Sequence, residues 1–145
     1  MVNSCIPVLD MQGISGQLDK VVKALWRWGC FRLFDHGIPS TLMSDMKAVS
    51  LSLFDLPLEI KKRNVYPQRL MGYIPRNTIN SFYEALGVYD MLTPEAVDQF
   101  CDKLDASPHQ REIMHEYSEA IDALVQELGR KIMEGSGRSH PKFLY

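Results

Sequence analysis

The side chains best suited to chemistry are four histidines, three cysteines and 18 carboxylates, and their spacing decides what they could do. A facial-triad metal site needs two imidazoles and a carboxylate converging on one face, with the other positions open. His36, His109, His115 and His140 form no HExxH, and none is followed two residues later by Asp or Glu. His109 and His115 are six apart, which puts them on opposed sides of a helix and reads as ordinary surface histidines. His36 sits where a strand meets a turn, and a turn histidine accounts for it. Cys5, Cys30 and Cys101 are odd in number and form no CxxC pair, so neither a zinc knuckle nor a disulfide framework is indicated. No Gly-x-Ser-x-Gly elbow is present, and Gly135-Ser136-Gly137 lacks the strand and the Lys-Ser/Thr of a phosphate loop. The pairs Asp102/Asp105 and Glu116/Glu119 are read as solvated charge. From the residues alone, no metal, cofactor or catalytic residue is assigned.

The elements that would position these groups are legible from periodicity. Ile6 to Asp10 is short, apolar and β-prone. Ser15 is expected to cap a helix to about Trp28, with Leu18, Val21, Val22, Leu25 and Trp28 at helical spacing and Gly29 as its stop. Cys30 to Phe34 reads as a second strand and His36 to Pro39 as a turn. Ser40 is expected to cap a helix to about Asp55, with Leu42, Met46, Val49 and Leu53 on one face. Leu58 to Arg63 reads as a short, basic, solvated helical turn. Residues 64–93 carry Pro67, Gly72, Pro75 and Gly87 and read as mostly irregular, a length that is usually functional or hides short strands. Thr93-Pro94-Glu95 opens a helix to about Lys103, with proline in its first turn.

Ser107-Pro108 opens the longest helix. Ile113, Tyr117, Ile121, Leu124, Leu128 and Ile132 make an apolar stripe along it. At 1.5 Å per residue the helix would be roughly 40 Å long and would need a partner surface of similar length. Two short strands cannot supply one. The domain is therefore taken as residues 1–134, with 135–145 a flexible, divergent or truncated tail.

The chain is 145 residues with a formal net charge of −2 and 46% hydrophobic residues. That length can bury about 70% of the unfolded surface, enough for a core. Sixteen basic against 18 acidic side chains give no bulk case for nucleic acid, and the triplet Lys61-Lys62-Arg63 is too small a patch by itself. No apolar run approaches the roughly 18 residues of a membrane span, and the first residues do not read as a secretory signal. A cytoplasmic protein with reduced thiols is expected.

Several segments, in order, resemble one family. Ile6-Pro7-Val8-Leu9-Asp10 is similar to its opening strand. Trp28-Gly29-Cys30-Phe31-Arg32-Leu33-Phe34-Asp35-His36-Gly37-Ile38-Pro39 resembles its "WGFFxxxNHGIP" segment, with Asp35 where Asn is usual. Phe54-Asp55-Leu56-Pro57-Leu58-Glu59-Ile60-Lys61 resembles "FFxLPxEEK", and Gly72-Tyr73-Ile74-Pro75 its Gly-Tyr segment. Together they resemble the N-terminal domain of plant-type 2-oxoglutarate- and iron(II)-dependent dioxygenases. Gly72 to Asn77 and Tyr83 to Asp90 look most like the branch that oxidises auxin (indole-3-acetic acid). The resemblance implies an α+β, mostly helical domain whose short strands extend a jelly roll and whose long helix packs on the larger sheet. Phe31 and Leu33 would face the layer between helix and sheet. It also implies iron(II) and 2-oxoglutarate as cofactors and a small organic acid as substrate.

The family holds iron with His-x-Asp and a distant His, and 2-oxoglutarate with Arg-x-Ser, all in the jelly roll. This sequence has neither motif, and Asn64-Val65-Tyr66 comes too early to be the family's Asn-x-Tyr. No metal or cosubstrate residue is carried over, and this chain alone is expected to be inactive and to bind neither cofactor. Tyr73, Arg76 and Asn77 are the candidate rim of a substrate pocket, as an aromatic and two hydrogen-bonding groups in an irregular segment. The alternative is a non-enzymatic short isoform that takes a protein partner on an exposed Ile113–Ile132 face.

Overall fold

The computed structural model describes residues 5–66, 72–76, 78 and 80–135. The chain is mostly helical with a few short strands, as expected. It divides into two units, residues 1–38 with 121–145 and residues 39–120.

In the first unit, strand β1 (Val8–Asp10) pairs in parallel with β2 (Arg32–Phe34), Leu9 opposite Leu33. A 3₁₀ turn (Ile14–Gln17) leads into helix α1 (Leu18–Trp28). Ser15 lies inside that turn, and no side chain caps either helix, which corrects the cap assigned to it. Gly29 ends α1 in the left-handed conformation, φ 69°, donating its N–H to the Leu25 carbonyl. Glycine adopts that conformation without a Cβ penalty. Val21 and Ala24 are the buried face of α1. Val22 and Leu25, expected in that stripe, are about half exposed, and Trp26 is 88% exposed.

Leu9, Met11, Ile14 and Val21 form this unit's core. Phe31 and Leu33 pack against it, as do Leu124, Leu128 and Ile132 of the last helix, α5 (Pro108–Gly135). Lys131 donates to the Met11 carbonyl at 3.3 Å. Cys5 and Cys30 are exposed free thiols.

In the second unit, α2 (Ser40–Phe54) has Pro39 as its N-cap, so Ser40 is the first helical residue and caps nothing. Val49 and Leu53 of α2 join Val97, Phe100 and Cys101 of α4 (Pro94–Lys103), Leu104, and Ile113 and Met114 of α5 in one core. Leu42 and Met46 pack on its margin, as their spacing predicted. Burying each such side chain contributes roughly 1.5–3 kcal/mol. Ser107 and Gln110 close a capping box at the start of α5. The Gln110 N–H donates to Ser107 Oγ at 3.2 Å, and the Ser107 N–H to Gln110 Oε1 at 2.7 Å.

One expectation fails in part here. The Leu58 to Arg63 turn holds helix α3 (Leu58–Lys61), and Leu58, Glu59, Lys62 and Arg63 are exposed as read, but Lys61 is buried. Residues 64–93 contain two short strands, β3 (Tyr73–Ile74) and β4 (Ala85–Leu86), antiparallel with Tyr73 opposite Leu86. Runs of two residues carry no readable period.

The stripe on α5 is not an open face. Ile113 is buried in the second unit's core, and Leu124, Leu128 and Ile132 are used by the first unit's. Tyr117 and Ile121 are half-buried. Elements within this chain already cover much of what was read as waiting for a partner.

Candidate functional site

Glu84, just before β4, collects three donors. Lys61, the last residue of α3, reaches Glu84 Oε1 with its Nζ at 2.6 Å and donates also to the Phe54 carbonyl at 2.8 Å. The second bond satisfies a carbonyl that the end of α2 leaves open. The Tyr73 hydroxyl donates to the same Oε1 at 2.8 Å. Arg76 Nε stands 3.2 Å from Oε2. The side chains of Lys61 and Glu84 are 10% and 11% exposed. The ammonium also lies 5.5 Å from the centre of the Tyr73 ring.

The electrostatics follow from these contacts. The Lys61 hydrogen bond, then the Tyr73 hydroxyl, hold the Glu84 carboxyl below the usual carboxylate range against the cost of burial. Burial and the Glu84 carboxylate push the Tyr73 phenol above its ordinary value, opposed by Lys61. Glu84 is thus a fixed anion. It is a poor proton acceptor near neutrality and has little lone-pair capacity left for a metal.

The backbone beside it is tightly drawn. Gly72 has φ 91°, and a Cβ there would lie 2.3 Å from the Asn64 carbonyl oxygen. That oxygen accepts from the Tyr73 N–H at 2.8 Å, and the Gly87 N–H donates to the Gly72 carbonyl at 2.8 Å. Asn64 Nδ2 donates to the Gly87 carbonyl at 2.9 Å.

Of the predicted rim, the structure brings Tyr73 and Arg76 together on Glu84, while Asn77 lies outside the described residues. Sequence reasoning missed Lys61 and Glu84 as members. The signal was present, since both stand in segments quoted for the resemblance, but only the fold joins residues 23 apart.

The histidines do not converge. His36 Nδ1 accepts the Ile38 N–H at 3.2 Å, so it is a turn histidine. His115 is not a plain surface residue, because its Nε2 lies 2.9 Å from Asp98 Oδ1. Arg111 bonds the same carboxylate at 2.9 Å and Asp102 at 2.5 Å. Arg111, then His115, hold Asp98 below the usual range. Pro108, His109, Arg111, Glu112 and His115 line an open depression of about 460 Å³ beside this cluster. His140 lies outside the described residues. Among the described residues no group of three His, Cys, Asp or Glu side chains could hold a metal ion. The donor set of the described residues therefore does not fit iron. No helix among those residues is long and apolar enough to cross a membrane.

Residues 6–127 match the family model described as non-haem dioxygenase in morphine synthesis N-terminal. The chain is 39% identical over 137 residues to the 2-oxoglutarate-dependent dioxygenase DAO of Oryza sativa, covering 91% of this chain and 46% of that protein. It is 28% identical over 143 residues to a probable flavonol synthase of Arabidopsis thaliana. Among solved structures, dioxygenase for auxin oxidation 1 of Arabidopsis thaliana, in binary complex with 2-oxoglutarate, superposes with a TM-score of 0.85 at 43% identity. That match covers 94% of this chain and 52% of the other. The rice dioxygenase for auxin oxidation gives 0.75 at 35% identity. The chain spans about half the length of the curated relatives it matches. With the model matched across most of its length, this chain belongs to the family of non-haem dioxygenase N-terminal domains.

Proposed function

We propose that this chain serves as the N-terminal domain, residues 1–134, of a 2-oxoglutarate-dependent dioxygenase that oxidises auxin, a small organic acid. The observation that carries this is the 43% identity and 0.85 TM-score to the Arabidopsis auxin-oxidising enzyme over 94% of the chain. In such an enzyme iron(II) and 2-oxoglutarate supply the oxidising chemistry. The described residues offer no group of three His, Cys, Asp or Glu side chains for the iron, and their contribution is scaffold and rim.

Two features support the scaffold part. The β1–β2 pair has no further strand beside it among the described residues, and Val8 and Phe34 on it are about half exposed. Such a parallel pair gains from addition to a larger sheet, as in a jelly roll, because isolated two-stranded pairs are marginal in water. The rim part rests on Tyr73 and Arg76, anchored on Glu84, with Asn77 as the third residue. A cytoplasmic setting agrees with three free thiols.

The test is complementation. The chain is mixed with the separately produced catalytic half of the rice relative, and succinate formation from 2-oxoglutarate is followed with indole-3-acetate present. Substrate-dependent turnover is expected from the mixture and none from this chain alone. A mixture no better than the catalytic half by itself, with association of the two verified, would refute the proposal.

A further inference from the structure

We infer that the outer face of helix α1 docks on an anionic phospholipid surface, with Trp26 seated among the headgroups and Lys20, Lys23 and Arg27 against their negative charges. The inference stands on α1 alone and goes beyond the dioxygenase reading above.

The core uses only part of what α1 offers, since Val21 and Ala24 are its buried residues. With 3.6 residues per turn, Trp26 stands roughly opposite that pair, at the crest of the helix, and is 88% exposed. Val22 and Leu25 follow it down one flank and are about half exposed. Lys23, Arg27 and Lys20 follow one another down the other flank, all exposed. Asp19, also exposed, is the one acidic residue of the helix. Lys20 donates to Gln17 Oε1 at 3.3 Å, and the Arg27 guanidinium lies 5.7 Å from the centre of the Trp28 ring. Both contacts are with neutral groups, so neither charge is cancelled by them. The slightly acidic balance of the whole chain conceals this local excess of cations.

Size and charge decide what covers this face. Three exposed apolar side chains fall well short of the roughly 800 Å² that each partner buries in a specific protein complex. A bilayer sets no such minimum, because a small apolar face adds its burial to the attraction between basic side chains and anionic lipid. Tryptophan suits the headgroup level, where its ring meets acyl chains and its N–H meets water. Lysine and arginine stems lie along apolar surface and carry their charges out to the same level. An apolar crest with cations down one flank therefore selects a surface that is both soft and negative. The contact is peripheral: α1, about 16 Å long at 1.5 Å per residue, lies in the plane of the surface while Val21 and Ala24 stay turned to the core.

The test is co-sedimentation of the full 145-residue chain with vesicles of phosphatidylcholine alone and of phosphatidylcholine and phosphatidylserine in equal parts, with tryptophan emission followed in parallel. The mixed vesicles are expected to bind at least tenfold more strongly and to shift the emission to the blue. Salt at about 0.5 M, which shortens the screening length to about 4 Å, should release most of the chain. Trp26→Ala should abolish the blue shift and weaken binding at least fivefold, and because that ring is exposed the fold should be untouched. Lys23→Gln should weaken binding to the mixed vesicles about fivefold, the usual size of one basic side chain at an anionic surface, and leave the neutral vesicles unaffected. In the bound chain Cys101 should stay closed to a thiol reagent. Its exposure would mean that unfolding, not docking, causes the capture, and would overturn the inference. Equal binding to both vesicles, binding by Trp26→Ala equal to the parent's, or no binding at all would each do the same. So would dimerisation without vesicles that Trp26→Ala abolishes, which would make a second copy the occupant. A blue shift of Trp26 on mixing with the catalytic half of the rice relative would likewise give the face to that half. None of these results bears on the dioxygenase reading, which complementation turnover decides separately.

Discussion

Glu84 shows what a single carboxylate can organise when its donors come from three places in the chain. Lys61 lies on α3, Tyr73 on β3, and Arg76 just beyond it. Replacing the charge while keeping the shape, Glu84→Gln, leaves Lys61 buried without a counter-ion, a change that usually costs about 3–5 kcal/mol. Urea unfolding of the variant should show a loss of that order. The pH dependence has a definite sign. Because the folded state holds Glu84 below its unfolded value, its contribution is present above about pH 4.5 and is lost as pH falls through the lowered folded value. The parent should therefore lose stability in acid more steeply than Glu84→Gln, as equilibrium unfolding at pH 7 and pH 3.5 would reveal. Tyr73 acts at the other end. Its raised phenol favours the folded state below about pH 10, and that advantage fades as the pH climbs through the folded value.

Among the elements, the helices were legible and their ends less so. Apolar spacing located α2 and α5, because a buried face leaves a 3.6-residue imprint on any helix. Ser15 and Ser40 misled, since a serine near a helix start is a cap only if the chain places it outside the first turn. Ser107 does satisfy that condition, and Ser107→Ala should cost about 1 kcal/mol by thermal or urea unfolding. The strands β3 and β4 were invisible because two residues cannot show alternation. Lys61 and Glu84 were unreadable as a pair, because an ion pair across 23 residues has no local pattern. Two glycines separate conformational strain from steric overlap. Gly29→Ala meets open space and pays only for φ 69°, about 1–2 kcal/mol. Gly72→Ala adds a Cβ 2.3 Å from a backbone oxygen and should destabilise distinctly more, with the damage confined to the β3–β4 region in hydrogen exchange.

For the whole molecule, the resemblance was legible from ordered motifs, while the destination of the long helix was not. Its stripe was read as a face for another body. Instead its two stretches serve separate cores, Ile113 in one and Leu124, Leu128 and Ile132 in the other. Periodicity announces that a face is buried and is silent about what buries it. The thiols turn that core into a clock. Cys101 is fully enclosed beside Met114, and burial pushes its thiol up, whereas Cys5 and Cys30 face solvent. An Ellman reagent added to the native chain should colour rapidly to two equivalents. The third should follow only as fast as the helices around Cys101 part, so the slow phase times the opening of the interior without any engineered label.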